Sequence, residues 1–497
     1  MKLTLALILS AMAATCLAQL PRNLSVQQKY IDGVSGRRVP VKEYSVAPYH
    51  ISGYNTNADS NLLYLYLDDN SSNKHHIACV DIVRDTLVYL NTIKGEIADV
   101  VGFRQYITRY DGKITDVYNT TTGKKAWSVK GVLSTNDALH VGIAADGVGY
   151  DMRTGAALWD AKIDKRFGWG DVMTPDTHSM LVAAGALQYI DLRNGNGWRH
   201  ELITGSKDYT AMVVTNVLGT AAAVLLGAGT YVTESDVVHG AHSAILETAN
   251  GYALAGMEEV IHVAPDGNLL WRQSLPVPTG ASTIWQQGDT LYILARGFAK
   301  RNGKAVTFGQ GYLAAINIGD GTFYYTTPVE ENNVIYDADQ VDGDVVLVGS
   351  ASFYRINLQS GKILAAYRFG KEEDYLQDYT EWKDAKHIYL KTSLAEGRTL
   401  SDIYPGQYFL QSRYGDILRL AANLKPAGTL AAKDVYHKMQ LNNRLSAIYT
   451  GIKNSPVFIA KEDKQLMILE KIPNKVMGDK TISLTNDKII IADLSSF

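Results

Sequence analysis

Cysteine is nearly absent from this chain: Cys16 and Cys79 are the two in 497 residues. Cys16 belongs to the extreme N-terminal segment, so a processed chain keeps only Cys79 and can form no internal disulfide. Stability in an oxidising compartment must then come from core burial. Cys79 sits in the apolar run Ile77-Ala78-Cys79-Val80 and reads as a small hydrophobe on a buried strand. Proline (12 residues) and phenylalanine (10) are also scarce. Few windows keep apolar residues at helical spacing over three turns, which argues against a helix bundle. Positive charge is not in excess, with 48 Lys and Arg against 51 Asp and Glu and a net charge of -3. No basic stripe is available to release phosphate counterions, so nucleic acid is not the expected partner. A Gly-x-Ser-x-Gly elbow and a Walker-type phosphate loop are likewise missing.

Tyrosine (30) and glycine (43) are abundant, a composition suited to short strands joined by tight turns. The N-terminus has the form of a signal peptide: Lys2, an apolar stretch from Leu3 to Ala14, then Cys16-Leu17-Ala18. Cleavage is expected before Gln19. Lipidation of Cys16 is the alternative, although Thr15 fits that processing poorly. The apolar stretch is too short for a membrane span. This pattern implies export, to a periplasmic or outer-membrane-associated place in a bacterial envelope or as a secreted protein, with peripheral membrane association open. Residues 1–18 are read as signal peptide, 19–40 as a polar leader and 41–497 as a single β-propeller.

From Leu62 onward, short apolar runs alternate with Gly, Asn and Asp, and they repeat. An Asn or Asp stands four residues before a Gly at Asn91/Gly95, Asn119/Gly123, Asp151/Gly155, Asp191/Gly195, Asn317/Gly321 and Asn357/Gly361. An aromatic follows at Trp127, Trp159, Trp198 and Tyr325, and Trp271 follows the variant turn at Gly267. The acidic or amide side chain is suited to cap the turn, and Gly supplies its positive φ. The aromatic is placed to pack between sheets. The repeat length fits four-stranded blades, about eight of them with seven as the alternative. The long interval between Gly195 and Gly267 holds Ala211–Val214 and Ala222–Leu226, read as strands of a degenerate blade. Ile489-Ile490-Ile491 is expected to pair with an early strand.

The blocks YNTTTGKKAW (118–127) and YDMRTGAALW (150–159) resemble the repeat of pyrroloquinoline-quinone-like β-propellers, over roughly residues 90 to 370. The resemblance implies a β-propeller. It also implies one of two functions: a quinone-dependent enzyme, or a non-enzymatic scaffold similar to the propeller subunit of the outer-membrane β-barrel assembly machinery. The adjacent disulfide-bonded cysteines common in the enzymes are missing here. The expectation is therefore a scaffold without cofactor, metal or catalytic residues, whose partner is an envelope protein or a glycan. A quinone-dependent oxidoreductase, or a propeller that binds or cleaves glycans, is the competing class.

Among polar clusters, Asp337, Asp339, Asp342 and Asp344 read as a solvated turn before a strand, since Val341 interrupts a calcium-loop pattern. His239 and His242 lack a clear third metal ligand. Two insertions are better candidates for partner contact. The basic loop from Arg296 to Gln310 offers Arg296, Lys300 and Arg301, and the acidic, aromatic loop from Lys371 to Lys386 offers Tyr375, Tyr379 and Trp382.

Overall fold

A computed structural model describes residues 25–495 apart from 33–35, 37, 57–60, 70, 73, 94–98, 103–105, 137, 165–167, 208–236, 302–303, 332, 381–393, 396–397, 451, 453–454 and 462–463. The segment read as a signal peptide and the proposed strands at 211–226 lie outside the described residues. Among those described, the chain is almost wholly β, in eleven antiparallel sheets of which eight have four strands. Six of the eight run in strict chain order across the sheet, so each is a local up-and-down meander. The all-β, propeller-type class expected from the repeats holds.

The repeat turn has one geometry in five places. At Asp151 the side chain accepts from Arg153 N–H (2.8 Å) and Thr154 N–H (3.0 Å), while Gly155 N–H donates to the Asp151 carbonyl (2.8 Å). Asn119, Asp191, Asn317 and Asn357 make the same backbone closure at 2.7, 2.8, 2.9 and 2.8 Å. Gly155 has φ 73°, a left-handed conformation that L side chains avoid. A methyl group there would also lie 2.7 Å from the Trp127 ring.

That close approach reveals what the aromatic does. Trp127 Nε1 donates to Met152 O (2.8 Å), Trp159 to Leu192 O (3.2 Å), Trp271 to Ile318 O (2.7 Å), and the Tyr325 hydroxyl to Leu358 O (2.6 Å). Each acceptor is the residue just after the Asp or Asn of the next turn. The ring therefore covers one turn's glycine and satisfies one turn's carbonyl, which ties each sheet to its successor.

Trp198 extends the pattern across the long interval. It donates to Pro265 O at 3.1 Å, and His200 Nε2 contacts Gly267 O at 2.9 Å. The sheet ending at Gly197–Glu201 thus meets the sheet Leu246–Ser274 directly. Among the described residues no blade stands between them, and the strands expected at Ala211–Val214 and Ala222–Leu226 lie outside those residues. The described ends of the interval contribute strands Gly205–Lys207 and Val237–His239 to a separate satellite sheet. That sheet is completed by Phe298–Arg301 and Lys304–Thr307. The stretch read as a basic loop is consequently a β-hairpin.

Two compact units are formed. One comprises the described residues of 1–144, 150–158 and 437–497, the other those of 145–149 and 159–436. In the first, strand Arg38–Ser45 pairs with Lys488–Asp493, in register from Val41↔Ala492 to Ser45↔Lys488. The expected pairing of Ile489–Ile491 with an early strand is present. Ser25–Asp32 adds a further strand outside Arg38–Ser45. The stretch read as a polar leader therefore contains sheet, and the fully buried Val39 anchors it. Gln27, Gln28, Lys29 and Tyr30 are all exposed, and only Arg38-Val39-Pro40 alternates outward, inward and outward. In the second unit, Ala253, Leu291, Ile293, Ala314 and Ile316 pack around Trp271.

Candidate functional site

Within the second unit a cleft of about 400 Å³ opens between strands Ser282–Gln287 and Ile335–Val341. Thr283, Trp285, Arg296, Asp337, Asp339 and Gln340 supply its functional groups. Both strands are the first of their sheets. Asp337 and Asp339 are two apart and so fall on one face. A register shift between Ile335 and Asp337 precedes them, and such a bulge re-aims the side chains beyond it.

The acidic cluster is thereby divided. Asp342 (φ 51°) and Gly343 (φ 82°) form the two-residue hairpin turn, as their sequence indicates. Asp344 is buried and pairs with Arg355 Nε at 2.7 Å and Asn357 Nδ2 at 3.0 Å. Only Asp337 and Asp339 reach the cleft. The turn reading holds for Asp342; Asp337 and the exposed Asp339 lie on the strand before the turn, and Asp344 is buried at the start of the strand after it. Asp337 Oδ1 accepts from Ala338 N–H and Asp339 Oδ1 from Gln340 N–H, both at 2.9 Å. Burial pushes the Asp339 carboxyl above its ordinary pKa, with the Gln340 N–H opposing.

Arg296 does not reach outward as a loop residue would. Its Nε donates to Ile335 O at 3.0 Å, and its Nη2 donates to Tyr336 O. The guanidinium thus clamps the start of the strand that carries the two carboxylates, and it lies 5.2 Å from the Phe298 ring centroid. Burial lowers its pKa, and the nearby Asp337 charge opposes that shift. Trp285 stacks on Tyr292 at 5.1 Å and 17°, and its indole N–H has no acceptor among the described residues. Sequence reasoning missed Trp285, because it sits on a first strand rather than at the repeated aromatic position. A charged cleft with an aromatic wall can hold a polar ligand by hydrogen bonds and ring contact.

The remaining candidates fall elsewhere. Lys300 is exposed on the satellite hairpin and Arg301 is half-buried there. Tyr375 is 50 % exposed. Tyr379 is buried with Leu376, Phe353, Leu410 and Leu420, so it is a core residue and is not displayed for a partner. A single short helical turn, Gln377–Thr380, turns it inward. Trp382 lies outside the described residues. The site residues named from sequence are therefore not brought together in one place. His242 bonds to Ser243 O at 2.6 Å and packs on Gly170, and no metal-holding group of His, Cys, Asp or Glu occurs among the described residues.

No family model matches this chain, and no curated protein does. Among solved structures it is similar to BamB from Moraxella catarrhalis, at 10% identity over 82% of this chain and 98% of that one, with a TM-score of 0.34. It is similar to the Dos1 propeller at 9% identity, covering 81% and 93%, with a TM-score of 0.34. A europium-containing methanol dehydrogenase is similar at 9% identity, covering 66% and 80%, with a TM-score of 0.30. Likenesses this distant carry no argument about activity or partner.

Proposed function

We propose that this chain is an exported, non-catalytic scaffold of a bacterial envelope whose sheet edges dock another envelope protein. One repeated feature carries the reading. The residue just before three of the docking aromatics (Trp159, Trp271 and Tyr325), and Leu364 at the equivalent place in the next sheet, is a large apolar side chain left in water. Leu158 is 50 % exposed, Leu270 45 %, Tyr324 55 % and Leu364 46 %. Each lies on the last strand of its sheet, where backbone groups along one side are unpaired. A partner strand added there would gain main-chain hydrogen bonds and cover the apolar row. The signal-peptide pattern supports the compartment.

Crosslinking in the native envelope, followed by pull-down, is expected to recover one specific envelope protein. Leu270→Asp with Tyr324→Asp and Leu364→Asp is expected to reduce that recovery at least tenfold. Recovery of no specific protein, or equal recovery by the triple variant, overturns the reading. A second reading, saccharide binding, is favoured only by the cleft at Asp337, Asp339 and Trp285. It predicts that soluble oligosaccharides shift Trp285 fluorescence and that Asp339→Asn abolishes the shift.

A further inference from the structure

The sheet that joins Arg38–Ser45 to Lys488–Asp493 holds one strand more than the repeat requires. In the six sheets that run in chain order, nothing pairs beyond the last strand among the described residues. That last strand carries the docking aromatic at Trp127, Trp159, Trp198 and Trp271. Arg38–Ser45 fills the same place here. Its Tyr44 hydroxyl lies 3.5 Å from Ile82 O, the carbonyl just after Asp81, and Asp81 caps its turn through Val83 N–H (3.0 Å) and Arg84 N–H (2.9 Å). Ser25–Asp32 pairs beyond this strand, yet Gln27, Gln28, Lys29 and Tyr30 are all exposed. A strand that buries so little contributes little to the core. What it does add is a wall.

Gln28 and Tyr30 are two apart and so share one face, and both border a cavity of about 170 Å³. The register carries that face across the sheet through Gln28↔Lys42 and Lys42↔Ile491, and Asp493, two residues on, stands opposite Lys480. Ile82 and Ile491 give the cavity apolar surface, while Lys42, Lys480 and Asp493 give it charge. These charges are not equally satisfied. Lys42 Nζ donates to both carboxylate oxygens of Asp85 at 2.8 Å. Lys480 Nζ is 3.9 Å from Asp493 Oδ2, too far for a hydrogen bond, and it makes none among the described residues. Asp493 Oδ1 accepts from Ser495 N–H at 3.0 Å. Burial opposes ionisation of Asp493, but the Ser495 bonds and the Lys480 and Lys42 charges outweigh it and hold the carboxyl below its ordinary pKa. The group is therefore a carboxylate at neutral pH.

An ammonium and a carboxylate oxygen held just out of mutual reach, beside apolar surface and an aromatic wall, complement a small molecule that carries both charges. Water alone would satisfy the two charges but has no use for the apolar surface beside them. A cavity of about 150 Å³ admits benzene, so this one has room for valine, which is little larger. We infer that this cavity is a binding site for a free aliphatic α-amino acid. Lys480 meets its carboxylate, Asp493 its ammonium, and Tyr30 with Ile82 and Ile491 its side group. The inference does not rest on the scaffold reading, whose sheet edges lie elsewhere.

The test is a saturation-transfer NMR titration of the full mature chain with L-valine, isovalerate and isobutylamine. The last two are valine without its ammonium and without its carboxylate. Valine is expected to bind at about millimolar or tighter. Each analogue should bind roughly tenfold or more weakly, since each loses a hydrogen bond to a charged group. Lys480→Gln should weaken valine by roughly tenfold or more and leave isobutylamine unchanged, and Asp493→Asn should weaken valine similarly and leave isovalerate unchanged. Tyr30→Ala, at an exposed position, should weaken all three ligands by one common factor with an unchanged circular dichroism spectrum. The absence of saturation transfer to valine overturns the inference. So does equal binding of valine and both analogues, or valine binding that ignores both Lys480→Gln and Asp493→Asn.

Discussion

The repeated Asp and Asn residues invite a chemical role until their hydrogen bonds are followed. Asp191 accepts the backbone N–H of Arg193 at 2.9 Å and the Arg193 guanidinium. That guanidinium, then the backbone N–H, holds its carboxyl down at about 2 despite the opposing effect of burial. Asn119, Asn317 and Asn357 cap the same turn without charge. A depressed carboxylate pKa stabilises the fold above the unfolded value of about 3.9, and that contribution is lost as pH falls through about 2. The Asp191 carboxylate remains solvent-accessible, so screening limits the gain to about 0.5 kcal/mol or less. Asp191→Asn is expected to keep the turn and to cost at most that amount at pH 6. The difference should vanish near pH 2 in urea titrations. A loss of several kcal/mol at pH 6 would show that the carboxylate does more than cap. Cys79 behaves as its sequence suggests: burial pushes its thiol up to about 12, and it packs with Tyr64, Tyr89 and Ile107.

At the scale of the element, the repeat was legible because its parts are local. Asp or Asn, Gly and the aromatic fall within nine residues, and each follows from turn or strand chemistry at its own position. The partner of the aromatic was not legible. Trp271 bonds Ile318 O, 47 residues onward, and nothing near Trp271 names that carbonyl. Trp271→Ala is expected to cost about 3–5 kcal/mol, because it empties the space under Gly321 and orphans a carbonyl. Trp271→Phe keeps the ring and should cost about 1 kcal/mol for the lost hydrogen bond. Chemical denaturation of both variants measures the split, and equal losses would contradict a separate hydrogen-bond contribution. The satellite sheet was illegible for the same reason. Val238 and Arg301 pair across 63 residues, so each insertion alone read as a loop. The candidate cleft was half legible: Arg296, Asp337 and Asp339 were noticed separately. Their convergence depends on two first strands lying side by side, and Trp285 carried no repeat signal to mark it.

At the scale of the molecule, the first unit depends on strands Arg38–Ser45 and Lys488–Asp493 meeting. Strand Arg38–Ser45 completes a sheet whose other strands are Ser25–Asp32, Lys475–Met477, Lys480–Leu484 and Lys488–Asp493. Tyr44 and Val46 then pack with Ile482, Ile489, Ile491, Leu63 and Leu65 in one core. Lys42 and Tyr44 reinforce that core through Asp85, at 2.8 and 2.5 Å. Because the contacts join residues more than 400 positions apart, the sheet forms only after residues 488–493 have been synthesised. Loop closure grows slowly with length, so the distance itself costs little once the strands are made. Removing residues 488–497 leaves Arg38–Ser45 and Lys480–Leu484 with bare edges and takes Ile489 and Ile491 from the core. Such edges seek other chains. The truncated protein is expected to elute as aggregate in size-exclusion chromatography and to be cleaved in limited proteolysis near residues 45–60. The same deletion supplemented with a synthetic peptide of residues 486–497 should recover part of the protease resistance. Full resistance of the truncated chain without the peptide would mean that the terminal strand adds nothing to the first unit.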